Sequence, residues 1–380
     1  MTQENKKIEG KYQHYVPRFY FRLFSKDKKR ICMFYLPQEK FVPNVRIYNQ
    51  CAEDYFYSEN TIIEKIFSEI ENLANIKLRR IIENKSLNCL TDMERQHLKS
   101  HILFQYGRTK FIYDKENEVV NYIFDLLKPK IYEDAKETGE DIRWEDIRDT
   151  KIVMNSSNSL WISMLSGIVL YDLEIVLIEN KSKVDFIFSD NPVVFFNSYF
   201  NDIHPYGTTG MASTGLQIFY PISSKFMLLL FDSKFYQLPN KNLIRITKSK
   251  DIRRLNGLQI LNCDRNLYFE EHSMKDVVIE LYKQLKGKKP KVKSEHEIMG
   301  SRIAEDGTYR ELLRTSSPKI HYNLHKLSFL KHKKTNIAYG IRNQWLVGIH
   351  SKIVTAVLDG KIKSMEDLSN FLDKLEDTNN

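Results

Sequence analysis

Five apolar runs between residues 173 and 232 constrain this chain more than any other feature: "LEIVLIEN", "VDFIFSD", "PVVFFN", "LQIFYPI" and "FMLLLFD". Asn, Ser, Pro and Gly punctuate them, as they do β-strands. A half-buried strand alternates apolar and polar residues, because successive side chains point to opposite faces. These runs barely alternate. A sheet built from them must be covered on both faces, so the rest of the chain has to supply two apolar layers.

The flanking segments have the patterns to do so. After "YFYSEN", Ile62, Ile63, Ile66, Phe67, Ile70, Leu73 and Ile76 keep helical spacing. Thr91 followed by Glu94 forms a capping box. It opens a second helix that is expected to continue past Lys110 into the 117–131 region. Nearer the N-terminus, Pro17 suits the first turn of a helix, with Phe19, Tyr20, Leu23 and Phe24 on one face and Arg18 and Arg22 on another. "RICMFYL" alternates like a half-buried strand. Downstream, a helix is expected around 250–262, a strand at "NLYFE", and a helix ending near Leu285. The fold class is therefore α+β: a central mixed or antiparallel sheet, long helices inserted before it, and a small C-terminal appendage. The expected division is a core over 11–285, a Lys-rich linker over 286–297 and a small helical or mixed domain over 298–380.

Composition narrows the setting. Hydrophobic residues make up 42% of the chain, enough for a sizeable core. Cys32, Cys51, Cys89 and Cys263 are far apart, which argues against a zinc ribbon or disulfide framework and fits a reducing cytoplasm. The polar start "MTQENKKIEG" does not read as a signal peptide. The apolar stretch 160–173 is too short and interrupted to cross a bilayer. A soluble, cytoplasmic protein is expected, without membrane partners. The net charge is +9, from 58 Lys and Arg against 49 Asp and Glu. Much of the excess begins at "KQLKGKKPKVK". There Lys286, Lys288, Lys289, Lys291 and Lys293 form either a solvated linker or a strip contacting nucleic acid.

Several segments together resemble the bacterial family known as domain of unknown function 4238. They are "HYVPRFYFRLF", with His14, Pro17 and Arg22; "CAEDYFYS"; the helix carrying Gln105, Arg108 and Thr109; "FIFSDNPVV", with Ser189, Asp190, Asn191 and Pro192; "YPISSKFMLLL"; and Arg253, Leu255 and Asn256. The resemblance spans about residues 11–280. Arg18 stands where glutamine is common in that family and Phe188 where threonine is usual. The family name implies no activity, so chemistry has to come from the residues.

Each candidate has a plain and a chemical reading. "SDNP" is good turn chemistry, or else Asp190 is a carboxylate at a strand end, where ligand sites gather. His14 is a packed histidine or a general acid/base. His97 and His101 share a helical stripe with Gln105 and Arg108, and are expected to face solvent. Asp172 with Glu179-x-Lys181 echoes a metal-dependent nuclease pattern, but at unsuitable spacing. His321, His325 and His332 lie among lysines and suggest a basic surface rather than a metal site. No P-loop, G-x-G-x-x-G, G-x-S-x-G or H-E-x-x-H pattern occurs. No metal is assigned, the cofactor is unknown, and oligomeric state is not legible.

The expectation drawn from these features is a phosphodiester-acting enzyme, a nuclease of toxin or phage-defence type. His14 would be its acid/base and Asp190 the orienting partner. Arg22 and Arg108 would clamp phosphate, with Gln105, Asn191 and Asn256 as further substrate contacts. The alternatives are a non-enzymatic nucleic-acid-binding or sensor protein, and a small-nucleotide-binding domain. RNA, DNA or a nucleotide is the expected partner, with another binding partner left open under the sensor or interaction reading.

Overall fold

A computed structural model describes residues 11–57, 61–153, 160, 163–202, 207–289, 295–303, 309–316, 320–362, 367–368 and 370–371. The early chain forms strand β1 (Tyr12–His14), helix α1 (Arg18–Leu23), and strands β2 (Arg30–Tyr35), β3 (Lys40–Arg46) and β4 (Ala52–Asp54). Three helices follow: α2 (Thr61–Asn84), α3 (Asp92–Gly107) and α4 (Lys110–Glu137), with the short α5 (Trp144–Arg148) after them.

The apolar runs then become β5 (Glu174–Asn180), β6 (Phe188–Ser189), β7 (Val194–Phe196), β8 (Gln217–Pro221) and β9 (Phe226–Phe231). The chain continues through β10 (Tyr236–Gln237), β11 (Leu243–Ile246), α6 (Ser249–Asn262), β12 (Asn266–Phe269) and α7 (Lys275–Leu285). Strands β13 (Glu295–Ile303), β14 (Tyr309–Ser316) and β15 (Lys331–His332) and helix α8 (Gln344–Leu358) complete it.

The protein is α+β. Its central sheet is mixed, in the order β11-β5-β9-β8-β7. β11 runs parallel to β5, and the other neighbours are antiparallel. The lack of alternation in these strands has the consequence expected of it. Val176, Ile178, Met227 and Leu229 enter one core, where Ile252, Leu255 and Leu258 of α6 and Val278 and Leu281 of α7 meet them. Their neighbours Ile175, Leu177, Leu228 and Leu230 enter another, lined by Phe19 and Tyr20 of α1, Leu78 and Ile81 of α2, and Leu98 and Ile102 of α3. Every residue of β9 is buried. Burying one such side chain contributes about 1.5–3 kcal/mol. A second antiparallel sheet, β3-β2-β12-β6, lies beside the first and takes its last strand from the "SDNP" segment.

The helix expected from Ile62 onward forms as α2, and its buried face passes through Phe67, Ala74, Leu78 and Ile81, while Leu73 and Ile76 are exposed. Two sequence expectations need correction. The helix opened by Thr91 does not run past Lys110. It has the expected capping box, but Thr109 is extended (φ −75°, ψ 147°) and the chain restarts as α4. The C-terminal appendage is not separate throughout: Leu324, Leu327, Phe329 and Leu330 belong to the α6–α7 core. The start of the helix placed at Ser364 lies outside the described residues.

Candidate functional site

The N-terminal motif is held from behind by α3. His14 ends β1, paired with Ala52 of β4. Its Nε2 lies 3.0 Å from the carbonyl of Tyr48. A carbonyl can only accept, so that nitrogen carries the proton. The ring packs edge-on against Tyr12 and Tyr48. Burial lowers its pKa to about 4 against the opposing pull of the Tyr48 bond, and Arg18, Arg108 and Arg22 lower it further. His14 is neutral at pH 7.

Arg108 sits at the break between α3 and α4, with 2% of its side chain exposed. Its Nη2 donates to the His14 carbonyl at 2.6 Å, its Nε to the Tyr57 hydroxyl at 3.2 Å, and its Nη1 is 2.7 Å from Glu71. Gln105, one turn earlier, donates to the carbonyl of Tyr15 at 3.2 Å. Two side chains one turn apart, Gln105 near the end of α3 and Arg108 just past it, thus brace two consecutive carbonyls of the motif. Arg22 is on the exposed side of α1. Arg108 and Arg22 are therefore not a pair of open clamps.

Asp190 is used just as fully. One carboxylate oxygen accepts from the backbone N–H of Asp264 (2.9 Å), the other from Arg265 (2.7 Å) and Asn266 (2.8 Å). Burial and nearby Asp264 raise its pKa to about 6, against those three donors. Asn191 accepts from the Thr109 hydroxyl at 3.3 Å, tying β6 to the α3–α4 break. Asn256 accepts from the N–H of Ile187 and donates to the carbonyl of Asp185. Gln259, which the sequence reading did not single out, accepts from the N–H of Ser189 and donates to the carbonyl of Pro192. The turn reading of "SDNP" was too local. Asp190 secures a loop more than seventy residues away. Among the described residues, no hydrogen bond or ion pair joins His14 to Asp190.

The remaining candidates separate. Asp172 is bound by Arg342, whose Nε lies 2.8 Å from its carboxylate, whereas Glu179 pairs with Lys181 and Arg245. The nuclease-like set does not form. His101 is buried beside Phe19 and Phe104, not solvent-facing as expected. Among the described residues both its ring nitrogens lack partners, as do Gln105 Oε1 and the Tyr220 hydroxyl.

Lys286 pairs with Glu39, and Lys289 donates to the carbonyl of Asp264. Lys291 and Lys293 lie outside the described residues. Lys288 instead lines a cleft of about 420 Å³ with Arg254 of α6 and with His321, Tyr322, Asn323 and Lys326; Asp202 is its acidic member. Arg254 donates to the carbonyl of Lys326 at 2.6 Å. Tyr322 packs onto Gly257, where an added Cβ would collide with its hydroxyl and ring, so this seating of the cleft wall depends on glycine there. Sequence reasoning overlooked Arg254, although Arg253 beside it carried the resemblance. It also overlooked a second cavity of about 530 Å³. Ser166 and His350 meet there at 2.9 Å from positions 184 apart.

The arrangement is that of an α+β protein whose shared motifs brace two sheets, with a basic cleft at one side. The chain belongs to the family described as protein of unknown function DUF4238, which matches residues 12–273. No curated protein and no solved structure matches it. Of the basic residues in the cleft, Arg254 falls inside the family match; Lys288, His321 and Lys326 fall outside it.

Proposed function

We propose that this chain binds a phosphate-bearing polyanion, a nucleic acid or a nucleotide, through its C-terminal basic region. The observation that carries this reading is the segregation of charge. Residues 1–280 hold 39 Lys and Arg against 38 Asp and Glu, whereas residues 281–380 hold 19 against 11. A body near neutrality carries a cationic end, the pattern that releases counterions on meeting a polyanion. Cleavage by His14 and Asp190 has less support, because Asp190 spends its carboxylate on three backbone donors and His14 spends its proton on Tyr48. A cytoplasmic setting is supported by four free cysteines, and no described helix is long and apolar enough to cross a membrane.

Fluorescence anisotropy with labelled single-stranded RNA and DNA tests the reading. Binding is expected at low salt, with affinity falling as salt rises and no strand cleavage with or without EDTA. Failure to bind either strand at low salt would reject the reading. Cleavage abolished by His14→Ala in a folded protein would restore the enzymatic one.

A further inference from the structure

The cleft between α6, the turn Lys286–Lys288 and the segment 320–328 has the features of a defined receptor. We propose that it is a binding site for a phosphate monoester, the dianionic group carried by a free nucleotide or by the phosphorylated end of a nucleic-acid strand. This rests on the polyanion-binding reading above and narrows it to one site and one chemical group.

Three observations converge on it. Arg254, Lys288, His321 and Lys326 come from three separate stretches of chain and line one concavity. The positive charges of Arg254, Lys288 and Lys326, gathered this way, repel one another, and an anion between them relieves the repulsion. The side chains of Lys288, His321 and Lys326 have no hydrogen-bond or ion-pair partner among the described residues, whereas Lys286 and Lys289, beside Lys288, both have one. Of the carboxylates nearby, Asp251 lies 3.5 Å from Arg254 and offsets part of its charge while also accepting from Ser328, and Asp202 lies 3.4 Å from His325; neither pairs with Lys288 or Lys326 among the described residues.

The walls are fixed before any ligand arrives. Arg254 is anchored on the Lys326 carbonyl. Tyr322 is seated on Gly257, and Leu324 and Leu327 are buried in the core beneath. Arg254 therefore needs little ordering on binding, which is where preorganised sites gain affinity, and the two exposed lysines close on the ligand from a fixed wall.

Size and charge select the ligand. A volume of about 420 Å³ falls at the small end of ligand pockets and is too small to hold a duplex. A monoester presents about two negative charges and three acceptor oxygens, against one charge for an internal diester. Arg254 adds a planar fork suited to phosphate oxygens. Asp202 repels a second phosphate but can accept from a sugar hydroxyl.

The test uses the full chain and five probes: inorganic phosphate, AMP, adenosine, and one single-stranded RNA 10-mer with either a 5′-phosphate or a 5′-hydroxyl. Calorimetry and anisotropy give the affinities. The phosphate-bearing member of at least one pair is expected to bind at least about tenfold tighter than its counterpart, the scale of one charge-assisted contact. Lys288→Ala with Lys326→Ala, both exposed positions, should remove that advantage, while Lys130→Ala, on α4, should not. Preference for AMP over adenosine alone identifies a free nucleotide as the source. Preference confined to the 5′-phosphorylated strand identifies a nucleic-acid end. If the two RNAs bind equally and AMP matches adenosine, the monoester site is overturned while polyanion binding stands. If no probe binds, both fail.

Discussion

The two polar regions of this molecule spend their hydrogen bonds in opposite ways. Around His14, Arg108 and Asp190, charged and polar groups are buried or half-buried and committed to protein partners, most of them backbone atoms. In the cleft, Arg254 is held by Asp251 and the Lys326 carbonyl, while the side chains of Lys288 and Lys326 have no partner among the described residues. The first arrangement is what a fold needs where sheets and helices meet, since nearly all buried polar groups find a partner, His101 and the Tyr220 hydroxyl being exceptions among the described residues. The second gains from a ligand. Residue type alone does not separate the two, because both contain arginine and histidine. The state of their partners does.

The sharpest way to break this contrast is at Arg108. Arg108→Ala leaves Glu71 and the His14 carbonyl without their partner, and should cost about 3–5 kcal/mol in urea unfolding. RNA affinity of the folded fraction should be unchanged. If affinity falls with little loss of stability, Arg108 belongs to a binding site and the contrast is false.

Asn256 tests the second half of the same scaffold. Asn256→Ala strands the N–H of Ile187 and the carbonyl of Asp185, for an expected loss of about 1–3 kcal/mol. A stable variant with weakened ligand binding would reassign this residue to the surface chemistry.

Acid should loosen the scaffold through its histidines. Burial lowers the pKa of His101 to about 3 and that of His14 to about 4, from 6.5. Both are neutral in the folded protein, so the stability they contribute is whole above pH 6.5 and drains as pH falls toward 4 and 3. Asp190 has the opposite sign. Its folded pKa, raised to about 6 from 3.8, favours the fold when protonated, and that contribution is lost as pH rises through 6. Comparison with His101→Leu isolates the imidazole. The variant should gain about 2 kcal/mol more over wild type at pH 5 than at pH 8. A difference that does not change with pH would show that His101 is not held neutral by burial.

The smallest expected stability effect is in the cleft. Lys288→Ala with Lys326→Ala should shift unfolding by less than about 0.5 kcal/mol, as for exposed residues away from structural features. A larger loss would make these lysines part of the scaffold.

What could be read from sequence follows the range of the interaction. The sheet and its two covered faces were legible, because strand periodicity is a property of neighbouring residues. So was the Thr91–Glu94 cap, a contact across three residues. The break at Thr109 was not, because apolar helical spacing resumes after it and Asn191, 82 positions away, helps to hold it. The motif residues were visible as polar outliers, but their roles were not. Asp190 bonds to the backbone at 264–266, and no local pattern announces that. The cleft was half visible: the lysine run and His321 were evident, whereas their meeting with Arg254 depends on residues 320–330 folding back onto α6.

The most direct test is the salt dependence of RNA binding, compared between wild type and the Lys288→Ala, Lys326→Ala double variant. If these lysines meet phosphate, the slope of log affinity against log salt for single-stranded RNA should become shallower by about 0.7 per lysine, about 1.4 in all. A slope unchanged in the double variant, but reduced in a correctly folded Arg108→Ala or His14→Ala protein, would place the polyanion at the motif instead and contradict the account.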